Sequence, residues 1–149
     1  PISGYARLSN EMREQIEPLH VVHDYVFSRS PIAPVNPNHA ASLPPVMHPM
    51  VRTNPVNSLK NYYIGSHARS IPGWSGIDSR QLLDTLLEHT TAPERILSLA
   101  FKPGDTVIWD NRCILHRGTG YDADRWRRRL RQTRVVGSDK GVIPKPLQE

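Results

Sequence analysis

Prolines limit the fold of this chain more than any other residue, because each one removes a backbone donor and interrupts a helix. The 149 residues include 14 prolines and 9 glycines, and six of the prolines lie in the segment 29–49. That segment is predicted to be a long loop, a feature that in compact domains is usually functional or mobile. The composition favours strands and loops over a helical bundle.

Two helices are nevertheless predicted from the spacing of apolar residues. The first covers residues 9–28, with Ser9 as its N-cap and a kink or division at Pro18. The second covers residues 79–89, is capped by Asp78, and carries its leucines on the buried side. Both helices are expected to lie outside the sheet.

Short segments with the composition of strands alternate with turn signals along the rest of the chain. Strands are predicted at 47–53, 59–64, 95–101, 106–109, 113–116 and 127–136. The fold class expected from this order is mainly β with flanking helices, in a jelly-roll or sandwich arrangement. One domain is expected over residues 1–149, with 138–149 as a loosely held tail.

The positive charge of the chain is concentrated in one short segment. The net charge is +5, and six arginines lie between Arg125 and Arg134, so the remainder is nearly neutral. With Tyr121 and Trp126, this segment could serve as a nucleic-acid surface on which arginines meet phosphates and aromatic rings stack on bases. A strand would send these arginines to both faces, so nucleic-acid binding is the less favoured interpretation.

Cysteine content and apolar runs indicate the cellular setting. Cys113 is the single cysteine, so no disulfide can form within the chain, and a reducing, cytoplasmic setting is predicted. No apolar run approaches the roughly 20 residues that a membrane span needs. The chain begins at Pro1 without an initiator methionine, and a helical pattern follows almost at once. We therefore expect it to be part of a larger domain.

The segment 104–118 has the pattern of a β-hairpin whose turn is formed by residues 110–112. His116 lies on the second strand of this hairpin. Arg127 and Arg131, four residues apart on the following strand, would share one face of it. An inward-facing arginine is costly unless it meets an anion, and its planar fork suits a carboxylate. Together these residues predict a site for a metal ion and a dicarboxylate.

The same segment carries a resemblance to a known family. Its pattern Gly-Asp-x-x-x-Trp-Asp-Asn-Arg-x-x-x-His-Arg, residues 104–117, closely resembles the C-terminal signature of the taurine/2,4-dichlorophenoxyacetate dioxygenase family. Segments 45–49 and 51–53 resemble the middle region of that family in the expected order, and the likeness covers most of residues 5–137. It implies that residues 1–149 are the C-terminal portion of a single dioxygenase domain, part of a double-stranded β-helix (jelly roll).

The resemblance also implies a set of ligands. The family holds Fe(II) by two histidines and one carboxylate, and leaves positions for 2-oxoglutarate and O₂. His116 matches the second iron-ligating histidine. Arg131 stands fifteen residues later, where the family places the arginine that binds the remote carboxylate of 2-oxoglutarate, and Arg127 matches an accompanying arginine. Arg129 would share their face, which is a departure from the family pattern.

A second departure concerns the remaining iron ligands. The family supplies them from a His-x-Asp or His-x-Glu motif, and none of the seven histidines here has a carboxylate two positions later. The chain alone is therefore expected to be inactive. Its expected partners are a missing N-terminal half or another chain, a small and anionic organic substrate, and another copy of itself in a homo-oligomer, with no membrane. The alternative is an inactive remnant, or a binding module without turnover.

Overall fold

The computed structural model describes residues 1–135 and the backbone of a short strand at 145–146. Its elements, in chain order, are α1 Ile2–Ala6, α2 Asn10–Ile16, β1 His20–His23, α3 Tyr25–Arg29, α4 Pro37–Ala41, β2 Val46–Pro49, β3 Val51–Thr53, β4 Lys60–Tyr62, β5 Ala68–Ser70, α5 Gly76–Thr90, a 3-10 turn Pro93–Arg95, and β6 Lys145–Pro146. Within these residues the helices contain more of the chain than the strands do, so the architecture is mixed helix and antiparallel sheet, and the expectation of a mainly β chain was wrong.

The predicted first helix is divided, as Pro18 suggested. Ser9 caps α2 by accepting a hydrogen bond from the Met12 backbone N–H at 3.2 Å, and α2 ends at Ile16. The chain then enters β1, where Val21 is fully buried, so the prediction of helix through 20–23 was wrong. Burial of β-branched side chains in a sheet outweighs the helical spacing that the sequence shows there.

The larger sheet has the strand order β5-β1-β2-β6, and all three pairings are antiparallel. In the β1–β2 pair Val21 lies opposite His48, so the side chains of these two residues share a face with His23. The predicted strand 47–53 is interrupted at Met50, whose backbone N–H donates to the Leu19 carbonyl at 2.8 Å. Met50 thereby joins the larger sheet to the smaller β3–β4 pair.

The core forms between α5 and the sheets. Leu82, Leu83 and Leu86 of α5 are buried, which confirms the predicted buried side of the second helix. Its N-cap is Ser75 and not the predicted Asp78, because the Ser75 hydroxyl accepts from the Asp78 backbone N–H at 3.1 Å. The core cluster consists of Tyr5, Ile16, Val21, Met50, Tyr62, Ile64, Ala68, Ile71, Leu82, Leu83 and Leu86.

Residues 96–135 contain neither helix nor strand in the structure. The strands predicted at 95–101, 106–109 and 113–116 are therefore absent, as is the described part of the one predicted at 127–136. A strand persists only where a neighbour supplies hydrogen-bond partners, and the part of the chain that the structure describes offers none beside this segment. For the same reason the described residues form no closed barrel.

Only Lys145–Pro146 of the predicted loose tail, 138–149, is described, and it pairs with β2. The rest of that prediction lies outside the described residues. None of the helices found in residues 1–135 combines the length and the apolar character that crossing a membrane requires.

Candidate functional site

His116 lies in an extended segment after the 110–112 turn, with its side chain exposed. Its imidazole packs against the Trp109 indole, and the two ring centroids are 5.0 Å apart. The Trp109 Nε1–H donates to the Asn111 side-chain oxygen at 2.8 Å, which fixes the indole relative to the turn. The turn therefore determines where the His116 ring stands.

The turn itself is organised by Asp110. Its carboxylate accepts hydrogen bonds from the Arg112 backbone N–H at 2.8 Å and from the Arg112 Nε–H at 2.9 Å. These bonds hold the pKa of Asp110 down at about 2, because they favour its ionised form. Asp110 is thus committed to the turn and is not a ligand beside His116.

Two contacts tie this segment to the rest of the fold. The Asn54 side-chain amide donates to the Cys113 sulfur at 3.1 Å. A Cβ placed on Gly65 would lie 3.5 Å from the Leu115 side chain, so residue 65 packs directly beside the neighbour of His116. The His116 segment therefore rests on the loops that follow β3 and β4.

Arg127 and Arg131 are both exposed and lie on no strand, so the structure does not place them on a shared face. Among residues 1–135 no hydrogen bond or ion pair joins either arginine to His116. Neighbouring arginines pack on aromatic rings instead: Arg125 lies over Trp126, 5.1 Å from its centroid, and Arg128 over Tyr121 at 5.9 Å. The roles assigned to Arg127 and Arg131 stay predictions.

The described residues do not by themselves fit an iron site. Across residues 1–135, no three histidine, cysteine, aspartate or glutamate side chains come close enough together to hold a metal ion. His116 is accompanied there by Trp109 and not by a carboxylate. The other histidine and the carboxylate of such a site would have to come from outside these residues. This agrees with the absence of a His-x-Asp or His-x-Glu motif from the sequence.

A cluster that sequence reasoning missed lies on the buried face of β1 and β2. The rings of His23 and His48 are 5.4 Å apart, and Tyr63 packs on both, with centroids at 4.8 Å from His23 and 5.4 Å from His48. The Arg52 guanidinium carbon lies over the Tyr63 ring, 4.7 Å from its centroid. Neither histidine stands out in the sequence, because only the pairing of β1 with β2 brings them together.

Both histidines of this cluster are held in their neutral forms. Burial lowers the pKa of His23 to about 4, and the neighbouring Arg52 guanidinium and the two nearby imidazoles, of His48 first and then of His67, oppose its protonation further. Burial and Arg52 lower the pKa of His48 as well. His23 Nε2 and His48 Nδ1 are buried and have no hydrogen-bond partner among the residues that the structure describes. The cluster therefore resists gaining protons, and its electropositive surroundings do not favour a cation.

Comparison with known proteins places the chain in a family. The family model described as "Taurine catabolism dioxygenase TauD, TfdA family" matches residues 3–134. A 2,4-dichlorophenoxyacetate dioxygenase, described as alpha-ketoglutarate-dependent, from Burkholderia sp. (strain RASC) is 35% identical over 145 residues, which cover 96% of this chain and 48% of the relative. A protein of the same description from Cupriavidus pinatubonensis is 36% identical over 143 residues, covering 95% and 49%.

A solved structure shows the same likeness in three dimensions. The crystal structure of AAD-2 in complex with Mn(II) and N-oxalylglycine superposes with a TM-score of 0.62 at 32% identity, covering 68% of this chain and 40% of that one. The chain spans about half the length of the curated relatives it matches. On the match over residues 3–134, the chain belongs to the TauD, TfdA family of dioxygenases.

Proposed function

We propose that this chain is the C-terminal portion of an Fe(II)- and 2-oxoglutarate-dependent dioxygenase that hydroxylates a small organic anion. One oxygen atom of O₂ enters a C–H bond of the substrate, which becomes C–OH. The other oxygen atom enters succinate, which forms from 2-oxoglutarate with loss of CO₂. The observation that carries the proposal is the family match over residues 3–134, which includes the whole motif at 104–117. The jelly-roll architecture and the cytoplasmic setting are part of the same proposal.

Within it, His116 is one iron ligand and the turn at 110–112 is its support. The His116 ring is exposed, so residues from outside the described part of the chain can approach it. Trp109 limits the orientations of the ring, as groups outside the ligand sphere commonly do at metal sites. The chain therefore contributes one ligand on a fixed turn, and the remaining ligands come from the missing half of the domain or from another chain.

Arg131, accompanied by Arg127, binds the remote carboxylate of 2-oxoglutarate. Both guanidinium groups are exposed, and neither forms an ion pair within residues 1–135. A guanidinium group can donate two parallel hydrogen bonds to a carboxylate, which a lysine cannot reproduce. The same exposed arginines keep nucleic-acid binding as an alternative, and retention on heparin with steep salt dependence would favour it.

The first experiment is an anaerobic titration of Fe(II) and 2-oxoglutarate, followed by the visible absorption of the chelate, on this chain and on the full natural product of its gene. A band from the full product and none from the chain alone is expected, because a chelate needs several positioned ligands. A band from neither would contradict the dioxygenase proposal and favour a binding module without turnover.

Substitutions in the full product then assign the residues. His116→Ala is expected to reduce succinate formation at least about 1000-fold, whereas His20→Ala, at an exposed histidine outside the motif, leaves it unchanged. Full activity in His116→Ala would remove that residue from the iron site.

Arg131→Lys is expected to raise the apparent KM for 2-oxoglutarate about tenfold, because the two-pronged contact is lost, and Arg134→Lys is its control.

A further inference from the structure

Asn54 is a buried polar residue at the junction between the packed part of the fold and the segment that carries His116. It follows β3 directly, and 5% of its surface is exposed. Its backbone N–H donates to the Leu59 carbonyl at 2.9 Å, and its own carbonyl accepts from the Ser58 N–H at 2.8 Å. Asn54 thereby closes the turn that connects β3 to β4.

The side-chain amide of Asn54 directs its donor at Cys113. The amide oxygen accepts from the Val56 backbone N–H at 2.9 Å, and this bond decides which way the amide faces. The amide nitrogen then donates to the Cys113 sulfur at 3.1 Å, although the two residues are 59 positions apart in the chain. Because a buried N–H group without a partner is costly, this bond resists breaking even though sulfur is a weak acceptor.

Cys113 is itself fixed to Asp110, at the start of the turn. The Cys113 backbone N–H donates to the Asp110 carbonyl at 3.0 Å, and its thiol donates to the Asp110 carboxylate at 3.6 Å. The same carboxylate forms an ion pair with Arg112 at 2.8 Å. Asn54 is therefore bonded to a turn that is already braced internally, so that a shift of Cys113 moves the whole turn.

The chain after this turn has one side toward the packed part of the fold and one side toward solvent. Cys113 and Leu115 are half-buried, and a Cβ placed on Gly65 would lie 3.5 Å from the Leu115 side chain. Ile114 and His116, which alternate with them, are exposed. The two contacts on the inner side, one polar and one apolar, therefore set the direction in which the His116 ring projects.

We infer that Asn54 is a positioning residue for His116. Its bond to the Cys113 sulfur fixes segment 110–116 on the loop after β3, and with it the place of the His116 ring. The function of His116 rests on the proposed function, whereas the attachment of the segment depends only on contacts within this chain. Asn54 acts through Cys113 and touches no reacting group.

Asn54→Asp separates this bond from the turn in which Asn54 lies. The carboxylate keeps the acceptor for the Val56 N–H and loses the donor to Cys113. Asn57→Asp is the matched control: Asn57 lies in the same turn, its side-chain oxygen accepts from the Leu59 N–H at 3.1 Å, and the substitution adds the same charge. Cys113→Ala removes the bond from its other end.

The first measurement is the nuclear Overhauser effect between the Leu115 methyl groups and the Gly65 α-protons, on this chain without metal. Asn54→Asp and Cys113→Ala are each expected to weaken it at least about threefold, because the segment loses one of its two anchors and opens locally. Asn57→Asp should leave it unchanged. Circular dichroism checks that Asn54→Asp folds, and Cys113→Ala, outside the β3–β4 turn, carries the comparison if it does not.

The second measurement is succinate formation by the full natural product of the gene. Asn54→Asp is expected to lower kcat at least about tenfold and to leave KM for 2-oxoglutarate within about twofold, because only the placement of His116 changes. In a Cys113→Ala background the same substitution should change kcat by less than about twofold, since the bond through which Asn54 acts is already absent. A general loss of stability would instead act equally in both backgrounds.

An unchanged nuclear Overhauser effect in Asn54→Asp and Cys113→Ala would overturn the inference. Full kcat in Asn54→Asp, or equal effects of that substitution with and without the Cys113 thiol, would overturn it as well. A wild-type full product without turnover would refute the proposed function instead. The measurement on this chain would then still decide whether Asn54 holds the segment.

Discussion

His23 shows what burial does to a single titratable residue. The ring packs against His48 and Tyr63 on the inner face of β1, and its buried Nε2 has no hydrogen-bond partner within the described part of the chain. Protonating His23 would place a charge where water is largely excluded and where the Arg52 guanidinium lies nearby, and both effects disfavour the charged form. The fold therefore accepts His23 in its neutral form, and stability becomes linked to pH.

The sign of that linkage follows from the pKa. In the unfolded chain the pKa of His23 is near its ordinary value of 6.5, whereas in the folded protein burial lowers this pKa to about 4. Between these values the unfolded state binds more protons, so stability is full above pH 6.5 and falls as the pH drops, by about 3 kcal/mol at pH 4. Urea unfolding at pH 7 and pH 4.5 measures this loss.

The matched variants are His23→Phe, which cannot titrate, and His20→Gln, at an exposed position on the same strand. The first should flatten the loss of stability between pH 6.5 and 4.5, and the second should leave it in place. An unchanged loss in His23→Phe would show that other groups, such as the carboxylates, cause the acid sensitivity.

At the scale of elements, α5 is the helix that holds the core together. One side of it contributes Leu83 and Leu86, which are 1% and 0% exposed, while Ile77 on the same helix is 80% exposed. The Leu86 carbonyl also accepts a hydrogen bond from the buried Tyr62 hydroxyl at 3.3 Å, so α5 is bound to β4 by polar and apolar contacts. The stability of the described fold should therefore depend on one face of α5.

Leu83→Ala is expected to lower the free energy of unfolding by about 2–5 kcal/mol, because it removes a buried side chain and leaves a cavity. Ile77→Ala, with the same kind of truncation at an exposed position of the same helix, should change it by less than about 0.5 kcal/mol. Denaturant unfolding of the two variants and wild type measures both. Similar losses in the two variants would mean that α5 packs differently in solution.

At the scale of the whole molecule, the chain divides into a packed part and an unpacked one. Residues 2–95 contain the helices, five of the strands and the core. Residues 96–135 contain no regular structure and expose large apolar side chains, among them Leu97, Ile108 and Leu130. Contiguous apolar surface of this kind is usually covered by a partner, and we predict that another copy of the chain or a complementary half of the domain covers these side chains.

Limited proteolysis tests this division. Trypsin should cut first after the arginines between Arg117 and Arg134, because cleavage needs an exposed segment that can adopt an extended form. Mass spectrometry should show an early fragment that begins at Pro1 and retains α5. A first cut within residues 2–95, or protection of the arginine segment, would mean that residues 96–135 are packed in solution.

Sequence reasoning succeeded where the information is local. Ser9 as a helix cap, the division at Pro18 and the buried leucines of the second helix depend on neighbouring residues, and all three are confirmed. The family was likewise readable, because the motif at 104–117 is a linear pattern. The assignments of His116, Arg127 and Arg131 rest on the same pattern and stay predictions.

Tertiary structure decided what depends on partners distant in the chain. Residues 20–23 have helical spacing but form β1, because Val21 is buried against β2 and its core neighbours. The His23–His48 cluster exists only once β1 pairs with β2. Conversely, the alternating segments within residues 96–135 form no strands, because alternation selects a face but a strand requires a neighbour to complete its hydrogen bonds.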